Sequence, residues 1–146
     1  MMRSTKHSLR HLLLLLTLVG MVGSALASAT NNDIYGTWKI KALVGAAAVS
    51  GLSDRQVHRL IGKAVIIRAE KFVFNGRTCR HPTYKRSVEE TVAYFDREWR
   101  ADSSELPLPN PVTIIETECN MLYPFQKNHI IVAEDGNFFE AVRVGR

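Results

Sequence analysis

Cysteine is scarce in this chain, with two among 146 residues. Neither stands in a C-x-x-C, so a reactive redox thiol has no support from spacing. Catalytic signatures are missing as well. There is no G-x-S-x-G, no H-E-x-x-H, no phosphate loop and no dinucleotide fingerprint, and the reactions those arrangements serve have no foothold here. Beyond one apolar stretch near the start, no equally apolar segment follows, which sets aside a retained membrane anchor. No internal repeat and no low-complexity tract occurs, so solenoid and compositionally biased classes fall away too.

What the start does contain is an export leader. Arg3, Lys6 and Arg10 make a positive n-region, residues 12–22 an apolar core, and Ala25-Leu26-Ala27 a small-residue cleavage site, with Ala27-Ser28-Ala29 as a second. Residues 1–27 are therefore expected to be a signal peptide and residues 28–146 a single exported domain, periplasmic or secreted to the medium. No cysteine follows either site, which argues against a lipid-modified amino terminus. The leader also accounts for much of the basic balance. It holds three of the 19 Lys and Arg and none of the 14 Asp and Glu, leaving 16 against 14. A near-neutral domain gives no support for nucleic-acid binding, which needs a clustered basic face. A domain of roughly 120 residues has room for one hydrophobic core and not for two.

In an oxidising compartment an even pair of cysteines is most simply a bridge, so Cys79 and Cys119 are expected to form a disulfide. The chain-entropy model values closure of a loop of that length at about 4 kcal/mol.

Along the domain, Trp38, Ile40, Ala42 and Val44 alternate with Thr37, Lys39 and Lys41, the period of a strand with one wet face. Residues 45–51, small and ended by glycines, read as a pliable connection or a ligand-facing lip. Ser53 caps a short helix over residues 54–61, with Gly62 just past its end. Residues 63–67 and 71–74 are β-rich, and Asn75-Gly76 is the strongest hairpin signal in the chain. Residues 77–84 read as a loop, where Pro82 is barred from a central ladder position. Residues 85–92 are open between helix and strand; residues 93–99 are more helical, with Tyr94, Phe95 and Trp99 as an aromatic flap. Three prolines make residues 103–111 a loop. Strands are expected over residues 112–118, 130–134 and 138–144. Seven or eight short strands with little helix imply a sandwich or a meander barrel.

His58, His81 and His129 survive leader removal, and no two share a ligand spacing with a carboxylate or cysteine near by, so no metal or cofactor site is expected. Glu116 and Glu118 would share one strand face, and Glu89 and Glu90 are adjacent. Without a cleft such pairs are solvated edges rather than acid–base machinery, so no catalytic residue is assigned and the chain is not read as an enzyme. Arg77, Arg80, His81, Lys85 and Arg86 crowd around Cys79. Held rigid by the bridge, they are candidates to receive an anionic partner or an acidic protein surface; the alternative is a solvated loop balanced by Glu89 and Glu90.

The Gly36-Thr37-Trp38 start, the meander order and Arg143 on the final strand together resemble the lipocalins and the wider calycin group. In that family the tryptophan of a G-x-W motif opens the first strand and an arginine from the last strand packs across it. The resemblance implies a mostly β fold, an antiparallel up-and-down β-barrel with one or two short helices, closed by first and last strands through Gly36, Trp38 and Arg143, with a cavity for small apolar ligands. The family's middle T-D-Y motif is missing, since Thr117-Glu118-Cys119 does not match it, and no ligand-binding residue carries over.

The expected function is that of an exported non-enzymatic binding protein of lipocalin-like type, taking a small apolar ligand in or at the mouth of a barrel. The alternative is a protein-interaction module such as a periplasmic enzyme inhibitor or a toxin-neutralising protein. A hydrolase or isomerase with dispersed His and Glu residues stands below both. No stable membrane insertion is expected, and the sequence sets no oligomeric state.

Overall fold

The computed structural model describes residues 31–145. The expected leader, residues 1–27, lies outside the described residues. The strands are β1 (Gly36–Ala46), β2 (Ala64–Arg68), β3 (Lys71–Phe74), β4 (Arg77–Arg80), β5 (Lys85–Glu89), β6 (Val112–Glu116), β7 (Met121–Gln126), β8 (His129–Glu134) and β9 (Asn137–Arg143). Helix α1 (Asp54–Leu60) joins β1 to β2, and α2 (Thr91–Trp99) joins β5 to β6. All nine strands form one antiparallel sheet in the order β4-β3-β2-β1-β9-β8-β7-β6-β5. Every neighbour follows its partner in the chain except β1 and β9, which pair first strand to last from Trp38↔Arg143 to Ala46↔Asn137.

First-to-last pairing agrees with an up-and-down meander, but the free edges fall elsewhere. They are β4 and β5, joined by only four residues, 81–84, and no ladder runs between them. The curled sheet is thus a half-barrel open along one seam. Buried residues from both arms, Phe72 and Phe74 on β3 and Ile115 on β6, meet in a single cluster. Contact between residues so far apart in the sheet is what marks the curl.

Two strands differ from the sequence expectation. Arg77–Arg80, read as loop, extends the Asn75-Gly76 hairpin as β4; both turn residues take positive φ, 49° and 75°, as a type I′ turn requires. β7 carries Pro124, whose missing N–H sits where the register with β8 shifts between Pro124 and Gln126. The ambiguous residues 85–92 resolve into strand β5 and the start of α2, with Glu90 as N-cap accepting hydrogen bonds from the N–H groups of Val92 and Ala93. Those bonds hold the Glu90 carboxyl below its ordinary range.

The concave face is filled. Trp38, Phe72, Phe74 and Phe139, with Ile40, Ile67 and Leu122, are all at most 2 % exposed, and Leu60 of α1 and Ile34 of the amino-terminal turn complete the cluster. A second cluster covers the convex face of β6–β9, where Tyr94 and Phe95 of α2 and Leu106 of the proline-rich loop pack on Ile114, Tyr123, Ile131 and Phe138. Strand β8 is therefore buried on both sides. Ile130 and Val132 face the concave cluster while Ile131 and Ala133 face the convex one, which is why this stretch is a continuous apolar run rather than an alternation. Tyr94 and Phe95 belong to this packed layer, not to an aromatic flap.

Candidate functional site

The two ends of the meander meet at Trp38 and Arg143. The guanidinium carbon of Arg143 lies 4.2 Å from the centre of the Trp38 ring, and its nitrogens donate to the carbonyls of Tyr35, at 2.5 Å, and of Asp33. The indole N–H donates to the Ile34 carbonyl at 2.9 Å. Gly36 is required by this arrangement, because a Cβ there would overlap Nη1 of Arg143.

Side chains span the open seam that the backbone leaves. Cys79 on β4 is bonded to Cys119 in the β6–β7 turn, with Cα atoms 6.5 Å apart. Thr83 donates its N–H and its hydroxyl to Glu118, at 2.9 and 2.5 Å, and the hydroxyl bond leads the effects holding that carboxyl below its ordinary range. Tyr84 donates its hydroxyl to the Arg68 carbonyl, and Asn31 donates to the Tyr84 carbonyl. Burial, with Tyr35 beside it, pushes the Tyr84 phenol up to about 12. Glu118 therefore does not share a strand face with Glu116, since β6 ends at Glu116.

The basic loop is divided rather than gathered. Arg77 pairs with Glu134 at 2.5 Å, and Arg86 pairs with Asp33 at 2.6 Å. Arg80, His81 and Lys85 are exposed and make no ion pair among the described residues. Glu89 and Glu90 do not balance this loop; Glu89 pairs with Arg97 of α2, and Glu90 caps that helix.

No sequence signal marks Glu134, which closes an apolar run and looks like an ordinary turn acid. In the fold it is 2 % exposed and accepts from Asn75, Arg77 and Asn120 at 2.8, 2.5 and 2.7 Å, tying the β3–β4 hairpin to the β6–β7 turn across the barrel end. With three donors on one carboxylate, the group is held fixed and has no free oxygen aimed at a ligand. The buried Tyr123 hydroxyl is likewise occupied, by the Trp99 indole N–H at 3.0 Å and the Tyr94 hydroxyl at 3.2 Å. Burial first, and then the Tyr94 phenol, raise its pKa, so it stays a neutral hydrogen-bonding group.

Helix α1 sits at the barrel rim between two open grooves of about 450 Å³ each. One is floored by Leu60 and Phe74 and rimmed by Arg59 and Lys63; the other is lined by Leu43, Val57 and Ile61 with Lys41 and His58. Leu52 lines both. The helix is set firmly despite its seven residues: Oε1 of Gln56 accepts from Ser53 N–H and hydroxyl, Leu60 is buried, and Gly62 N–H bonds the Ile40 carbonyl just past its end. The lip that precedes it is not loose either, since Ala47 and Gly51 donate to the carbonyls of Gly136 and Asp135. No sequence signal marks this rim, because its basic residues are interspersed with apolar ones and form no run.

Among the described residues no three His, Cys, Asp or Glu side chains gather as a metal site, and no helix is long and apolar enough to cross a membrane. His129 is engaged with Glu140 at 2.8 Å. Comparison of the chain with protein-family models, with curated proteins and with solved structures finds no match.

Proposed function

We propose that this chain is an exported, non-enzymatic binding protein that meets a protein partner on the outside of a lipocalin-like half-barrel. One observation carries the reading. The concave face, where a carrier would hold its cargo, is occupied by the protein's own Trp38, Phe72, Phe74 and Phe139. Carrier pockets are mostly preformed concave spaces of about 300 Å³ or more. Here the grooves of that size open on the surface, beside α1 and beneath α2. The export leader read from residues 1–27 and the Cys79–Cys119 bridge support a periplasmic or extracellular setting. The Trp38–Arg143 contact and the β1–β9 pairing support the lipocalin-like description.

A second reading, a small apolar ligand at the barrel mouth, is favoured by the Leu52, Leu60 and Phe74 lining of the first α1 groove. Native mass spectrometry of the chain recovered from an export-competent host separates the two. The proposal expects a complex with a second polypeptide and no small molecule in organic extracts. A stoichiometric apolar molecule in the extract, with the polypeptide absent, would replace the first reading by the second.

A further inference from the structure

We infer that α1 and its two flanking grooves form the docking face, and that it receives an extended, acidic segment of the partner with two apolar side chains four residues apart. The inference rests on the binding-protein reading and adds the chemistry of the partner.

Charge selects the sign of the occupant. Arg59 and Lys63 line one groove and Lys41 and His58 the other, while Arg55 is exposed on the helix between them. Asp54 is the one acid lining either groove. Among the described residues Lys41, Arg55, Arg59 and Lys63 are in no ion pair, in contrast to Arg77, Arg86 and Arg97, which all have carboxylate partners. An acidic segment would find donors here that need not first release an internal partner.

Geometry selects its form. The grooves lie on either side of one helix, and a helix with its side chains is about 10–12 Å across. An extended chain rises about 3.3 Å per residue and returns side chains to one face at every second position, so residues four apart sit about 13 Å apart on the same side. That spacing places one apolar side chain against Leu52 and Val73, above the buried Leu60 and Phe74, and the other against Leu43 and Ile61. The last two are 41 % and 39 % exposed, so they present apolar surface for an anchor to cover.

The probe is a fluorescein-labelled heptapeptide, Asp-Leu-Glu-Asp-Glu-Leu-Asp, read by fluorescence anisotropy at low and high salt against the full exported domain. Saturable binding that weakens with salt is expected. Arg59→Glu with Lys63→Glu should lower affinity at least about tenfold through like-charge repulsion. Replacing both leucines of the peptide by serine, or its acids by lysine, should do the same. Arg80→Glu with Lys85→Glu, on the other basic surface, should change nothing, and circular dichroism checks that both variants are folded. No binding by the heptapeptide, equal binding by the lysine version, or equal binding to wild type and the Arg59/Lys63 variant overturns the inference. So does binding confined to phosphatidylglycerol vesicles, which would make the face a lipid contact. A co-purifying polypeptide retained by the Arg59/Lys63 variant defeats this docking face and leaves the binding-protein reading standing. Absence of any polypeptide from wild-type protein defeats that reading itself.

Discussion

Replacing Trp38 and Arg143 singly and together measures how the meander is closed. Trp38 is 2 % exposed, and removing a packed aromatic to alanine costs about 3–5 kcal/mol. Arg143 is half-buried, stacks at 4.2 Å on the indole and gives its two nitrogens to the carbonyls of Tyr35 and Asp33. A lysine at that position keeps a charge and loses the planar stack and the fork. The lost cation–π contact amounts to about 0.5–2 kcal/mol at a site of this exposure, and each ordinary hydrogen bond to roughly 1 kcal/mol. Arg143→Lys is thus expected to cost about 1–3 kcal/mol, well above a surface exchange. Because the two side chains touch, their effects should not add. Urea unfolding of Trp38→Ala, Arg143→Lys and the double variant should return a coupling of at least about 0.5 kcal/mol. Additivity within error would show that stacking contributes nothing and that β1–β9 backbone pairing alone closes the sheet.

The seam supplies the next predictions. Cys79→Ala should destabilise the protein by about 2–5 kcal/mol, and intact mass before and after reduction should show one bridge in wild type; two free thiols in protein prepared under oxidising conditions would contradict it. Arg77→Ala should cost more than Glu134→Gln, because the Arg77 side chain is 54 % exposed and finds water when released, whereas removing it leaves a carboxylate 1 % exposed without its countercharge. About 3 kcal/mol or more is expected for the first and about 1–3 for the second. Reversed order in chemical denaturation would refute the buried-acceptor account. The phenol of Tyr84 is raised from 10.0 to about 12 by burial. The folded state therefore holds this proton more tightly, and the stability it contributes is whole below pH 10 and is lost as pH rises from there to about 12. Tyrosinate absorbance in wild type and Tyr84→Phe isolates that titration, and a phenol titrating at its ordinary value would remove the effect.

Much of the fold was legible wherever the solvent touches one face of a strand. The alternation of Trp38 and Ile40 with Lys39 and Lys41 and the Asn75-Gly76 hairpin follow from local chemistry, and the Cys79–Cys119 pair from there being only two cysteines to join. What escaped was set by tertiary context. β7 was hidden by Pro124, which a strand tolerates only where the ladder is already interrupted. β4 was hidden because an edge strand of Arg77, Thr78, Cys79 and Arg80 has no buried run to announce it. Residues 93–99 were recognised as helical, but their aromatics face a convex sheet surface whose existence depends on strands yet unpaired in the sequence.

The candidate site was less legible than the fold. Charge density along the chain pointed to residues 77–86, yet two of those cations are committed to Glu134 and Asp33, each more than 50 residues away. The cations around α1 are diluted by apolar neighbours in sequence and gather only when Lys41 of β1 comes to the second groove beside His58. Linear density records neighbours along the chain, whereas available charge depends on which carboxylates the fold brings close.

A crystal structure of the protein under xenon tests the filled interior most directly, since xenon enters apolar cavities that are empty and dry. The account predicts no xenon among Trp38, Phe72, Phe74 and Phe139. A well-occupied xenon site enclosed by those side chains would reveal a cavity and restore the ligand-carrier reading over recognition at the surface.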